Sequence, residues 1–159
     1  MSISYPNGPK SGWLEQAAKI VSGEIELPPS DTPKLLNWLK DMNWPGAPQI
    51  AQHLRSHDRT LARHIAPVLA SGDLIWTHWV LDTFADSFDS EAWLPMKDAL
   101  EKIAFQWDEE GAHIDSLYIL ARFRLADVDR IRAAIKTMKE IREVDPDDYL
   151  KVESVLNDA

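Results

Sequence analysis

The chain contains no cysteine, which excludes disulfides, thiolate metal sites and a cysteine nucleophile. It has only six glycines in 159 residues, and they build no phosphate-cradling loop. No apolar run is long enough to span a bilayer. The first residues, MSISYPNGPK, lack an apolar stretch behind a basic end and do not read as a secretory signal. Strand-like alternation of Val, Ile, Thr and Tyr is absent too. Bases are scarce in the middle of the chain. From Asp73 to Asp115 there are eleven acids against two bases, Lys97 and Lys102, an imbalance equal to the net charge of the whole protein, −9. Such a middle argues against nucleic acid as the main ligand. These absences predict a soluble, cytoplasmic, all-α protein with no membrane contact and no cofactor.

What the chain does have is tryptophan, seven copies of it, and helical periodicity. Candidate helices span 11–22, 32–42, 46–56, 59–70, 73–88, 91–106, 112–125, 128–143 and 146–157. Asp58, Asp73 and Asp145 stand where helix caps are needed, and Pro146 follows at a first turn. The helix at 59–70 shows an apolar face of Leu61, Ile65, Val68 and Leu69. Consecutive helices with short links pair as antiparallel hairpins: 32–42 with 46–56, 59–70 with 73–88, 91–106 with 112–125, and 128–143 with 146–157. This predicts a degenerate α-solenoid of stacked hairpins, about eight or nine helices in one domain over 11–159. Residues 1–10 read as a flexible tail and 122–159 as a C-terminal helical extension. From Arg122 to Glu143 the charge reverses, with seven bases against four acids.

The densest signal is TPKLLNWLKDMNWPGAPQIAQHL. Thr32 can cap a helix with Pro33 in its first turn, and Leu35, Trp38, Leu39 and Met42 share one face. Asn43 suits a left-handed residue after the last turn, and Pro45 suits the opening of the next helix. The run Asp41-Met42-Asn43-Trp44-Pro45, with Ala47 and Gln49-Ile50-Ala51 after it, resembles the mark of a family of uncharacterised bacterial proteins. A second mark is Asp73 followed by Ile75-Trp76 and then Trp79. The resemblance covers residues 14–121 and implies a HEAT-like helical fold, with Trp38, Asp41, Asn43, Trp44, Pro45, Trp76 and Trp79 as its structural motif. Some small bacterial domains of this type sit beside toxins and act as immunity proteins, so the resemblance also implies a toxin as partner.

Three groups of residues carry candidate chemistry. His53 and His57 are spaced to share a metal on one helix face, with His64 further on. The glutamate of a metalloprotease helix is missing, and Arg55, Arg59 and Arg63 oppose a cation, so no metal is expected. His78, Asp82 and Asp86 recur every four residues on one helix face, where a carboxylate orients and charges an imidazole. They suit a small enzyme or a ligand or metal site; without an accompanying nucleophile or oxyanion motif they suit a solvated acidic face better. Asp108-Glu109-Glu110 lies in a loop beside Trp107, and it lacks the glycine and alternation of a calcium loop. Trp38, Trp76 and Trp79 fall at core spacing, whereas Trp93 and Trp107, near helix ends, are expected at the surface.

The leading expectation is a non-catalytic protein-binding module, an immunity protein that covers a basic toxin domain with an acidic surface. That surface is expected to comprise Asp82, Asp86, Asp89, Glu91, Trp93, Trp107, Asp108, Glu109 and Glu110. The alternatives are the enzyme or ligand binder just described and a structural helical adaptor.

Overall fold

A computed structural model describes residues 3–57, 59–141 and 144–158. Among these the chain is entirely helical, with nine α-helices joined by stretches of 3₁₀-helix and turn and no strand. The α-helices are α1 (Trp13–Ser22), α2 (Ala47–Arg55), α3 (Ala66–Ala70), α4 (Leu74–Phe84), α5 (Ser90–Trp93), α6 (Lys97–Ala104), α7 (Ala112–Arg122), α8 (Val128–Lys139) and α9 (Leu150–Asn157). The all-α class read from the sequence holds. Three of the four expected pairs lie together, residues 29–40 on α2, α3 on α4, and α6 on α7, whereas α8 and α9 each pack chiefly on α7. α7 sits at the centre, against α4, α6, α8 and α9.

The segment expected as an α-helix over 32–42 is instead a 3₁₀-helix, Pro29–Lys40. Pro33 lies inside it and has no N–H to give to an α-helical ladder, and no side chain caps its start. A 3₁₀-helix repeats every three residues, so positions three apart line up. Leu35 with Trp38 and Leu36 with Leu39 form two buried rows, while Asn37 and Lys40 face outward. The run LLNWLK therefore has a period of three.

The corner that follows also differs from expectation. Asn43 is not left-handed: its N–H donates to Asp41 Oδ1 at 2.8 Å, and the Trp44 N–H donates to the Asp41 carbonyl at 3.0 Å. Gly46 takes the left-handed conformation, at φ 85°. A β-carbon there would stand 2.5 Å from Ala17 Cβ and 3.2 Å from Trp38 Cζ2, so only glycine lets α1 approach this closely. Pro45 stays in the corner and presents its carbonyl to the Trp38 indole N–H at 2.9 Å, while Pro48 occupies the first turn of α2. Trp38 is fully buried, and Trp44 is half-buried, edge-on to Trp13 at 5.3 Å. Trp76 and Trp79 are half-buried, and the Trp76 indole donates to the Leu36 carbonyl at 2.8 Å.

Prolines divide the other long expectations. The helix read at 59–70 becomes a 3₁₀ turn, Arg59–His64, and α3, with Pro67 in the first turn of α3. Its apolar face of Leu61, Ile65, Val68 and Leu69 is buried as read. The cap assigned to Asp58 lies outside the described residues. The helix read at 91–106 divides at Leu94–Met96 around Pro95 into α5 and α6. Asp73 and Asp145 cap as expected, accepting from the N–H groups of Trp76 and Asp147. Within the segment read as a tail, Tyr5 is buried in the core and the Asn7 N–H donates to Gln16 Oε1 at 3.1 Å.

Candidate partner-binding surface

The link between α6 and α7 gathers acids and aromatics. Gly111, at the start of α7, has φ 84° and offers no capping side chain, so Asp108 supplies the acceptor. Its Oδ1 accepts from the N–H groups of Glu110 (3.0 Å) and Ala112 (3.1 Å), and its Oδ2 from that of His113 (2.8 Å). A carboxylate there also meets the positive end of the helix dipole. The His113 ring is buried between Asp108 Oδ2 (Nδ1, 3.2 Å) and the Tyr149 hydroxyl (Nε2, 3.0 Å). Burial works against the charge of Asp108, but hydrogen bonds from the His113 side chain and backbone hold its carboxyl below the usual range. Burial, then the nearby charges of Asp148 and Asp108, push the Tyr149 hydroxyl up to about 12. Asp108 was expected to contact a partner. Its side chain is only 8 % exposed, and the unpaired N–H groups of α7 draw it inward.

Over this trio lies a cleft of about 490 Å³ lined by Trp107, Glu109, Glu110, Ile114, Asp148 and Tyr149, among others. Trp107 is 47 % exposed, in keeping with its expected surface position. Glu109, Glu110 and Asp148 are exposed and have no ion-pair partner among the described residues.

The α4 face adjoins this cleft. A β-carbon on Gly111 would lie 3.9 Å from His78 Nδ1, so the 107–111 link abuts α4. His78 Nδ1 stands 2.5 Å from Asp115 Oδ2 of α7. That hydrogen bond raises the imidazole pKa against the opposing effect of burial, and Asp115, Asp82 and Asp108 add their charge in the same direction. Burial pushes the Asp115 carboxyl up, while His78 pulls it down. The geometry therefore holds the ring in one orientation and favours its charged form. Asp82 is exposed on α4 beside the pair. Asp86 lies past the end of α4 and accepts from the Tyr118 hydroxyl at 2.7 Å, with Lys151 of α9 over the Tyr118 ring at 4.0 Å. Asp82, Asp86, Glu109, Glu110 and Trp107 thus belong to one region, held together by α7.

The other expected surface residues go elsewhere. Asp89 caps α5 through the Ala92 N–H at 2.9 Å and pairs with Arg59 at 3.0 Å. Glu91 pairs with the same guanidinium at 2.8 Å. Trp93 is not at the surface. It is fully buried, against Phe88 at 5.6 Å, because α5 packs on the 3₁₀ turn Arg59–His64. His53 and His57 meet edge to face at 4.9 Å, and His64 accepts from Arg63 at 3.2 Å. The described residues hold no group of three or more His, Asp or Glu placed to share a metal ion.

Asp115, Tyr118, His113 and Tyr149 were not foreseen. Asp115, Tyr118 and Arg122 recur at helical spacing, a polar stripe that hints at partners. In a helix buried on nearly every side, such a stripe does not say which neighbour it meets.

Residues 18–120 match the family described as a domain of unknown function, DUF5071, and the chain belongs to that family. The match ends within α7, so α8 and α9 lie beyond it. No curated protein and no solved structure matches the chain.

Proposed function

We propose that the protein is a non-catalytic protein-binding module, a bacterial immunity protein that acts in the cytoplasm and neutralises a basic toxin domain. Its scaffold, in this reading, is a HEAT-like stack of helical hairpins. The observation that carries the reading is the half-exposed Trp107 set among carboxylates that have no ion partner among the described residues. A large aromatic held at the surface beside a cleft serves as an interface anchor. A lysine or arginine entering the cleft meets the Trp107 ring as well as Glu109, Glu110 and Asp148, so charge and π attraction act together. Asp82 and Asp86 extend the negative field along α4 and steer a basic partner at long range. The described residues contain no helix long and apolar enough to cross a membrane, which agrees with a partner met in solution.

The test has two arms: whether a toxin is encoded beside the gene and, for such a toxin, whether the chain protects growth against it. A neighbourhood without one overturns the immunity reading. The wild-type chain should protect, and Trp107→Ala with Glu109→Lys and Glu110→Lys should not. These positions are exposed, so the variant should keep its helicity, with changes of about ±0.5 kcal/mol per site. A wild type that gives no protection overturns the immunity reading. A folded triple variant that still protects overturns this surface.

A further inference from the structure

The charge reversal after residue 122 has its own structural setting. Arg132, Ile135, Lys136 and Lys139 recur at helical spacing on α8 and share one face. That face looks toward α9. The Arg132 guanidinium donates to the Leu156 carbonyl at 3.4 Å, and the Lys139 ammonium donates to the Glu153 carboxylate at 2.7 Å. Between the two helices lies a cleft of about 440 Å³. Ile135 and Leu156 form its apolar floor, 4 % and 3 % exposed. Lys136 stands exposed at its rim and has no ion-pair partner among the described residues.

We propose that the cleft between α8 and α9 binds a small amphipathic monoanion, an aliphatic or aromatic body with one carboxylate. The body lies along the aliphatic stems of Lys136 and Lys139 above Ile135 and Leu156, and the carboxylate meets the Lys136 ammonium beside the Arg132 guanidinium. The volume falls in the range of small-molecule sites, about 300–1,000 Å³. The charge of the lining selects the valence. Three bases, Arg132, Lys136 and Lys139, face two acids, Glu140 and Glu153. One positive charge is left over, which compensates one acid group and leaves a second without a counter-charge. This site is separate from the Trp107 cleft and lies outside residues 18–120, so it stands or falls independently of the immunity reading.

Decanoate, titrated into the full chain by calorimetry, is the probe. Saturable one-to-one binding is expected, with decanol and decyltrimethylammonium at least about tenfold weaker, as loss of a charge-assisted contact implies. Lys136→Glu, at an exposed helical position, should weaken decanoate by a similar factor while leaving the circular dichroism unchanged. Leu156→Trp should fill the cleft and abolish binding. The proposal is overturned if decanoate shows no saturable binding, if decanol binds as tightly, or if folded Lys136→Glu protein binds decanoate with unchanged affinity.

Discussion

α7 and α8 are nearly equal in length, at 11 and 12 residues, yet nine side chains of α7 are buried and only three of α8. Both carry polar groups on faces that meet other helices. In α7 three of the groups find fixed partners: His113 meets Asp108 and Tyr149, Asp115 meets His78, and Tyr118 meets Asp86. The buried Ser116 hydroxyl has none among the described residues. In α8 the bases border a cleft and keep part of their bonding capacity unused. A buried polar group without a partner costs about 1–3 kcal/mol, so the pairings of His113, Asp115 and Tyr118 belong to the architecture. Of the α8 bases at the cleft, Lys136 is under no such constraint: it is exposed and has no ion-pair partner among the described residues.

Truncation of core leucine should separate the two helices most sharply. Leu117→Ala, fully buried in α7, should cost about 2–5 kcal/mol in denaturant unfolding. Ile135→Ala in α8 should cost less, because α8 buries only three side chains and a cavity beside the α8–α9 cleft can collapse more fully than one at the centre of the fold. A larger loss at Ile135 than at Leu117 would break the comparison.

Removal of one hydroxyl should have the next largest effect. Tyr149→Phe leaves the buried His113 Nε2 without its partner and should cost about 1–3 kcal/mol. An unchanged unfolding midpoint would mean that the Asp108–His113–Tyr149 chain contributes nothing to the stability of α7.

The smallest effect should appear as a pH dependence. The His78 pKa is raised in the folded state, chiefly by its hydrogen bond to Asp115. The folded protein therefore binds this proton more tightly than the unfolded chain does. The resulting stability is fully present below the ordinary imidazole pKa of about 6.5 and is lost as pH rises through the raised folded value. The stability advantage of wild type over His78→Asn should shrink as pH is raised above about 6.5. An advantage that stays constant from pH 5 to pH 9 would remove His78 from the charged side of the comparison.

Several elements were legible from local pattern. The caps at Asp73 and Asp145 bond within three residues of themselves, and such contacts are written in the order of the chain. The corner at 41–46 was recognisable as a corner, but its left-handed residue is Gly46 and not Asn43. The missing signal was the proximity of Ala17, nearly thirty residues away, which makes Gly46 the residue that must lack a side chain. Residues 32–42 were read as a helix with a period of 3.6, whereas the structure has a 3₁₀-helix, Pro29–Lys40, with a period of three. Leu35, Leu36, Trp38 and Leu39 satisfy both patterns over so short a run, and Pro33 was the cue that favours the tighter helix. Trp107 was placed at the surface and is there, whereas Trp93, read in the same way, is in the core, because exposure near a helix end depends on where the next element goes.

The sequence by itself determined the helical class, the segregation of acid to the middle and base to α8, and the capping aspartates. Each of these is a property of composition or of neighbours within a turn. Only the tertiary structure decided that His78 meets Asp115 across 37 positions, that His113 meets Tyr149 across 36, and that α8 and α9 leave a cleft between them. Side-chain pairing at that range depends on how whole helices settle against each other. Burial of many apolar side chains at once governs that settling, since no single polar pair is strong enough to direct it.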